Sequence, residues 1–392
     1  MKKIITLLAA IAFTFVGSLP VAAASAKSQV PEAISASELQ AKYAAALTSG
    51  EKVRILIVPG HEPTLGGTEY EGFYEREMVL EIAEKLAGSL SANPRFEVFT
   101  TRTISGWNPE FASYFKKGER KTKKFVADQK KLFEKKVKKG DIEERTEEVP
   151  HATARNDIAL RLYGVNRWAN ENGIDLLIHL HINDTGGGEA LRNSTSGFAI
   201  YVPDAGYGNG EASREVAEPI FARLGAIAAT STLPIENQGI VEDQSLIAIG
   251  AYDSLAAPSV LIEYGYITEP KFLHIETRRT VSTDLAYQTY RGVQDFFKQP
   301  APVTHPSLVL PYAWVEGKHA EGASVQTYAL QVALRSLGFY PISGKTLTEC
   351  PISGIWDECT TSALKAFQAS RTLTQTGEIG PATKAALTQA GV

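Results

Sequence analysis

Cysteine is almost absent: the 392 residues hold two, Cys350 and Cys359. That excludes a disulfide-built scaffold, so the fold must stand on its own apolar core. An excess of positive charge is also missing. Forty Lys and Arg stand against 44 Asp and Glu, a formal charge of −4, whereas a chain living mainly on nucleic acid carries a positive balance. Beyond the N-terminus no apolar run approaches the roughly 20 residues needed to span a bilayer. With 44% apolar and 21% charged residues, a disordered tail, a fibre and a two-stranded coiled coil are excluded as well. The length allows two or three domains at roughly 100–200 residues each.

Residues 1–24 differ from the rest. Lys2 and Lys3 precede an apolar run from Ile4 to Val16, followed by Gly17, Pro20 and the small residues VAAASA. A positive start, a short apolar centre and a small-residue end read as a signal peptide, with cleavage after Ala24 or Ala26. The run is too short for a retained membrane anchor. Export to the periplasm, cell wall or extracellular space is therefore expected, with a mature charge near −6. In that setting Cys350 and Cys359 read as a disulfide rather than a metal site.

Residues 25–51 are rich in Ala and Ser and read as a linker or a loose helix. From Val53 the pattern changes. RILIVPGH, FEVFTTR (96–102), DLLIHLHI (175–182), GFAIYVP (197–203) and SVLIEYGYI (259–267) read as strands. Helical spacing runs between them, in EREMVLEIAEKLAGSL, in 153–171, in SREVAEPIFARLGAIAAT and in 281–297. Strands alternating with helices predict an α/β fold with a mostly parallel sheet flanked by helices. The nearly continuous apolar strands fit a sheet covered on both faces.

Residues 105–150 interrupt this alternation. Residues 116–148 hold 13 Lys and Arg against 8 Asp and Glu, and Phe111, Phe125 and Phe133 recur at helical spacing. One or two amphipathic helices are expected, forming a solvated insertion, a lid, or a cationic surface for an anionic polymer or a regulatory protein. Residues 299–321, rich in Pro and small residues, read as a linker or draping segment. Residues 322–392 form a small unit with three helical candidates, 325–337, 360–370 and 381–390. A Cys350–Cys359 bond would brace the loop before its second helix.

The chemistry gathers at strand ends. His61 follows the first strand, His181 lies near the end of DLLIHLHI, Glu263 near the end of SVLIE, and Glu75 opens a helix on the same rim. Ligands and catalytic groups collect beyond the carboxyl ends of parallel strands. Two imidazoles, one carboxylate and a water make a four-coordinate catalytic zinc site, and Glu263 would remain free to take a proton. Each residue also has a plainer reading. His61 suits a surface loop, and Glu75 sits among other glutamates. His179 and His181 share one face of a strand, so one of them can be a packed residue. No compact motif such as HExxH is present, and spacing alone carries the argument to a metal hydrolase.

These residues resemble the zinc-dependent N-acetylmuramoyl-L-alanine amidases of the Amidase_3 group. That family's opening D-P-G-H-G-G motif appears as IVPGHEP, its E-K-D-V-x-L-x-I-A helix start as EREMVLEIA, and its L-T-R strand end as TTR at Thr100, Thr101 and Arg102. Ala169 and Asn170 precede DLLIHLHIND where the family has A-N before D-L-F-I-S-I-H-A-N, and the late V-L-V-E-x-G-F strand appears as VLIEYGYITEP. The resemblance covers residues 52–298. It implies one Zn2+ held by His61, Glu75 and His181, with Glu263 as the catalytic carboxylate. Glu62 and Pro63 replace the usual glycines, Val165 stands where an arginine is usual, and His179 falls at the family's serine position, to which no role carries over.

The C-terminal unit resembles the three-helix peptidoglycan-binding domain through LQVALRSLGFY (330–340), ALKAFQ (363–368) and TGEIGPATKAAL. The cysteine pair looks like an added brace. Together the resemblances imply a secreted hydrolase acting on peptidoglycan at the amide between N-acetylmuramic acid and L-alanine. Two rivals share the same residues: a zinc endopeptidase cutting stem peptides, and a catalytically silent wall-binding protein. No nucleic acid partner is expected, because the basic stretch offers no aromatic platform on a strand.

Overall fold

Six strands build the central sheet: Val53–Pro59 (β1), Phe96–Thr100 (β2), Leu176–Asn183 (β3), Ala199–Pro203 (β4), Ile240–Asp243 (β5) and Ser259–Tyr266 (β6). They lie in the order β2-β1-β3-β6-β4-β5. All neighbours are parallel except β4 and β6, so the sheet is mostly parallel, as expected. The structure is a computed structural model and describes residues 30–145, 155–185, 194–299, 308–317 and 322–392. The leader lies outside the described residues.

Alternation along the strands sends side chains to two cores. Ile55, Ile57, Ile178, Leu180, Val260 and Ile262 face a layer made by helices Glu75–Ser91 (α2), Gly210–Leu224 (α5) and Ile275–Phe296 (α6). Leu56, Val58 and Leu177 face the opposite way, toward Pro109–Lys139 (α3) and Asn156–Glu171 (α4). Both faces are covered, which is why these strands read as unbroken apolar runs.

Helices α5 and α6 cross where Gly292 meets Ile220. A Cβ at Gly292 would stand 2.4 Å from the Ile220 Cα, a backbone atom that cannot swing aside. Gly292→Ala is expected to cost about 1–3 kcal/mol. An unchanged urea midpoint would show that the two helices can separate freely.

Three segments take a form among those the sequence left open, or a firmer one than expected. Within residues 25–51, where a linker or loose helix is expected, Ala36–Ser49 (α1) is a capped helix packed on the core. Ser35 and Glu38 form a reciprocal capping box. Ala36, Leu39, Tyr43 and Ala46 are buried, and the Tyr43 ring stacks on Phe297 at 4.5 Å. An Ala-rich stretch with a buried stripe is a helix, and composition alone hid that stripe. In the 105–150 insertion the described residues form one 31-residue helix, α3, whose Phe111, Phe125 and Phe133 are buried against neighbours. In the 299–321 segment, Leu310 and Trp314 are buried, and the Trp314 indole donates to the Val392 carbonyl at 2.7 Å. That part drapes rather than dangles.

The C-terminal helices are Val325–Ser336 (α7), Glu358–Ser370 (α8) and Pro381–Gln389 (α9). Cys350 and Cys359 are bonded, closing the loop ahead of α8. The unit is docked on the larger one: the buried Tyr328 hydroxyl of α7 donates to Asp284 of α6 at 2.9 Å. No helix among the described residues is long and apolar enough to cross a membrane.

Candidate metal centre

The rim at the carboxyl ends of β1 and β3 is built by close backbone approach. Pairing continues one residue past β1, where the Gly60 N–H donates to the Leu180 carbonyl at 2.9 Å. A Cβ at Gly60 would lie 2.5 Å from His181 Cε1, so only glycine lets the two strand ends come this near. The chain then turns through His61, whose φ of 68° is in the left-handed region that side-chain-bearing residues avoid. Such strain collects at functional sites. Here it aims the imidazole back across the rim. Gly67, itself at φ 79°, leaves room for that ring: a Cβ there would stand 3.1 Å from His61 Cδ2.

Glu75 opens α2 and is buried. Its Oε1 accepts the Ile182 backbone N–H at 3.0 Å, lies 3.2 Å from His181 Nδ1 and stands 2.8 Å from His61 Nε2. Its Oε2 accepts the Thr68 backbone N–H at 3.1 Å. Burial alone would raise this carboxyl, but the two imidazoles beside it outweigh that and hold Glu75 well below the usual carboxylate range. The candidate ligating atoms of His61, Glu75 and His181 all lie within 4.8 Å of one another. His61 Nε2 is enclosed and, despite its nearness to Glu75, makes no directional hydrogen bond. Donor atoms converging on one point with a bond left unmade are what a cation would satisfy. The set of two nitrogens and one oxygen therefore fits a divalent metal ion.

Glu263 pairs across the sheet with His181 in the β6–β3 register, so the two side chains share a face. It is half-buried, and its Oε2 is enclosed without a hydrogen-bond partner. Desolvation first, then the nearby negative charges of Glu75 and Glu236, push its pKa well above 4.5. Glu236 is itself a buried carboxylate that four side chains hold. Tyr201 and Asn183 donate to one oxygen at 2.6 and 2.8 Å, and Ser231 and Tyr266 to the other at 2.5 and 2.8 Å.

Two arginines finish the rim. Arg102, closing the TTR segment, is buried and donates to the carbonyls of Gly60 at 2.6 Å and Arg76 at 2.8 Å. It thereby ties the loop of His61 to the helix start of Glu75. Burial and the charge of Arg76 lower it to about 10, so it stays cationic at neutral pH. Arg161 of α4 donates to Glu62 at 2.6 Å, which occupies the carboxylate that replaces the family's glycine. Arg161 sits one helical turn before Val165. His179 stands apart from the cluster. It is buried, hydrogen-bonded to the backbone of Ala248, and lowered to about 3 by burial and by His181. It is a neutral packing residue.

Sequence reasoning did not single out Gly60, Arg102 or Glu236 for a role. Gly60 follows a strand and a proline, a pattern that signals a turn as well as a close approach. Nothing local to LPIE marks Glu236. Gly60→Ala is expected to lower metal affinity by about 10–100-fold, the range seen when a group that supports a ligand is removed. Metal titration of the folded variant checks it, and wild-type affinity would mean that the His181 ring can move aside at little cost.

A mostly parallel sheet that carries two histidines and a glutamate at one rim, with a second carboxyl beside them, defines a metal-dependent hydrolase. Residues 55–295 match the Amidase_3 family, described as N-acetylmuramoyl-L-alanine amidase. The chain belongs to that family. Residues 324–387 match the peptidoglycan binding domain model PG_binding_1. Among solved structures, an N-acetylmuramoyl-L-alanine amidase from Clostridium difficile 630 is 19% identical, covering 64% of this chain and 100% of that one, with a TM-score of 0.38. The amidase Ami1 from Mycobacterium smegmatis is 14% identical, covering 63% and 98%, with a TM-score of 0.40. The amidase AmiC2 of Nostoc punctiforme is 15% identical, covering 63% and 98%, with a TM-score of 0.38. No curated protein matches the chain.

Proposed function

We propose that this amidase uses one zinc ion, held by His61, Glu75 and His181, to hydrolyse the amide between N-acetylmuramic acid and L-alanine in peptidoglycan. The observation that carries the reading is the convergence of those three side chains beside the unbonded carboxyl of Glu263, inside the segment that matches the family. When bound, zinc polarises the amide carbonyl, acidifies water, and offsets the Glu75 charge that Glu263 faces.

The chain's own residues do the rest. Glu263 takes a proton from the attacking water and returns it to the departing amine, so the poor leaving group leaves neutral. Its half-buried position, one strand across from His181, keeps that proton from bulk solvent. Arg102 and Gly60 hold His61 and Glu75 at one separation. Burial first, and then the neighbouring Glu75 and Glu236, raise the affinity of Glu263 for a proton.

Residues 1–24 would direct export, placing the mature chain at the wall. The domain at 322–392 would hold the enzyme on insoluble polymer and raise its effective concentration there. Mass spectrometry of purified peptidoglycan digested with the mature protein tests the assignment. Stem peptides with a free L-alanine amino terminus are expected. Cuts within the stem would replace the reading with an endopeptidase, and no product from the zinc-loaded protein would replace it with a binding role.

A further inference from the structure

Helix α3 carries a charge the rest of the chain does not. Its 31 residues hold twelve Lys and Arg against four Asp and Glu, a net +8, on a chain whose total is −4. The remainder therefore sums to −12. At about 100° per residue, Lys117, Lys121, Lys124, Lys131, Lys135 and Lys139 fall within about 80° of one another. All six are exposed. Asp128, paired with Lys124 at 2.6 Å, is the one acid in that arc between residues 117 and 139. The stripe is about 33 Å long at 1.5 Å per residue.

Two hollows lie along it. One, of about 310 Å³, is lined by Tyr114, Lys117, Lys121 and Arg167, with Glu110 and Glu171 at its edge. The other, of about 610 Å³, is lined by Lys135, Lys136 and Lys139 with Tyr252 and the acids Glu32, Asp141 and Asp253. The helix is tied down along its length: Arg167 of α4 donates to Tyr114 and to the Gly118 carbonyl, and Lys136 pairs with Asp253.

We propose that this lysine stripe is a docking surface for an extended polyanion of the cell wall whose charges are phosphodiesters. The inference rests on the proposed place of action at the wall. Lysines act as point charges toward phosphate without bidentate geometry, which suits a flexible chain read by charge and length rather than a defined headgroup. A membrane is disfavoured because Leu132 is the one large exposed apolar side chain on α3, whereas helices that lie in a bilayer bury an apolar face. Nucleic acid is disfavoured because Phe111, Phe125 and Phe133 are buried and offer no stacking platform.

The test is binding of the mature full-length protein to poly(glycerol phosphate), a probe with no amide to cleave, so amidase activity neither helps nor hinders the result. Affinity is expected to fall with salt. In a K117Q/K121Q/K135Q/K139Q variant, folded by circular dichroism, the slope of log K against log salt should shrink by about 3, at about 0.7 for each phosphate no longer neutralised. No binding by the wild type, or an unchanged slope in the variant, would overturn the proposal and leave the stripe a solvated face. Lysine-dependent binding to phosphatidylglycerol vesicles with none to the polymer would overturn it in favour of a membrane.

Discussion

Glu263→Gln is expected to lower kcat/KM by about 10²–10⁴-fold, the range for loss of a general acid–base, with zinc stoichiometry unchanged. The same variant is expected to be more stable than the wild type when metal-free. Both results come from one feature, a carboxyl enclosed beside Glu75 and Glu236 with an oxygen that bonds nothing. The sign follows from where the proton is held more tightly. The folded-state pKa of Glu263 lies above its ordinary value of 4.5, so the folded chain retains the proton after the unfolded chain has lost it. Stability of the metal-free wild type therefore falls as pH rises from about 4.5 toward the folded value, and stays reduced above it. Glutamine does not titrate. Melting curves of both proteins with chelator should converge near pH 4 and separate toward neutrality, with the variant higher. A variant less stable at neutral pH would mean that the ionised carboxyl stabilises the fold. Near-wild-type turnover would remove Glu263 from the proton-transfer role.

Glu75→Gln is expected to act the other way on stability and to cost more than about 100-fold in metal affinity, since even indirect support of a ligand is worth 10–100-fold. The substitution keeps one oxygen, for either the Ile182 or the Thr68 N–H, and turns an amide NH2 toward the other, so a lost acceptor adds to the lost charge. That charge is held low by the two imidazoles, so the wild-type carboxylate contributes stability above its ordinary value of 4.5, lost as pH falls through its lower folded value. The metal-free variant should thus melt lower than the wild type at neutral pH. Zinc titration by calorimetry gives the first readout and melting the second. Wild-type zinc affinity in the glutamine variant would sink the assignment of Glu75 as a ligand. The opposed stability shifts at Glu75 and Glu263 also separate this account from a general loss of packing, which would lower both.

Much of the candidate site was legible because strand ends are legible. Unbroken apolar runs that stop at Pro59-Gly60, at Asn183 and near Glu263 mark where a parallel sheet ends, and parallel sheets put chemistry there. The capping box at Ser35 and Glu38 was equally written in the chain, but an Ala-rich composition fits a linker as well as a helix. The draped Trp314 was illegible for another reason: its partner is the carbonyl of Val392, and no local pattern announces a bond across that separation.

By itself the sequence determined five of the six sheet strands and most of the helices, the charge carried by α3, the cysteine pair, and the residue types able to hold a metal. Those follow from local propensity and from a period of 2 or 3.6 residues, properties that a short window contains. The family resemblance pointed to His181, and the tertiary structure gave the physical reason why its neighbour on the same strand face stays out of the cluster. His181 lies at the rim beside Glu75, while His179, two residues earlier, is sealed against Ala248. It alone revealed that Gly60 must lack a side chain and that Arg102 clasps both ligand-bearing segments. It also put a fully bonded Glu236 behind a Glu263 oxygen that bonds nothing. Each of these depends on atoms brought within a few ångströms from distant parts of the chain, and burial then sets the charge state that chemistry requires.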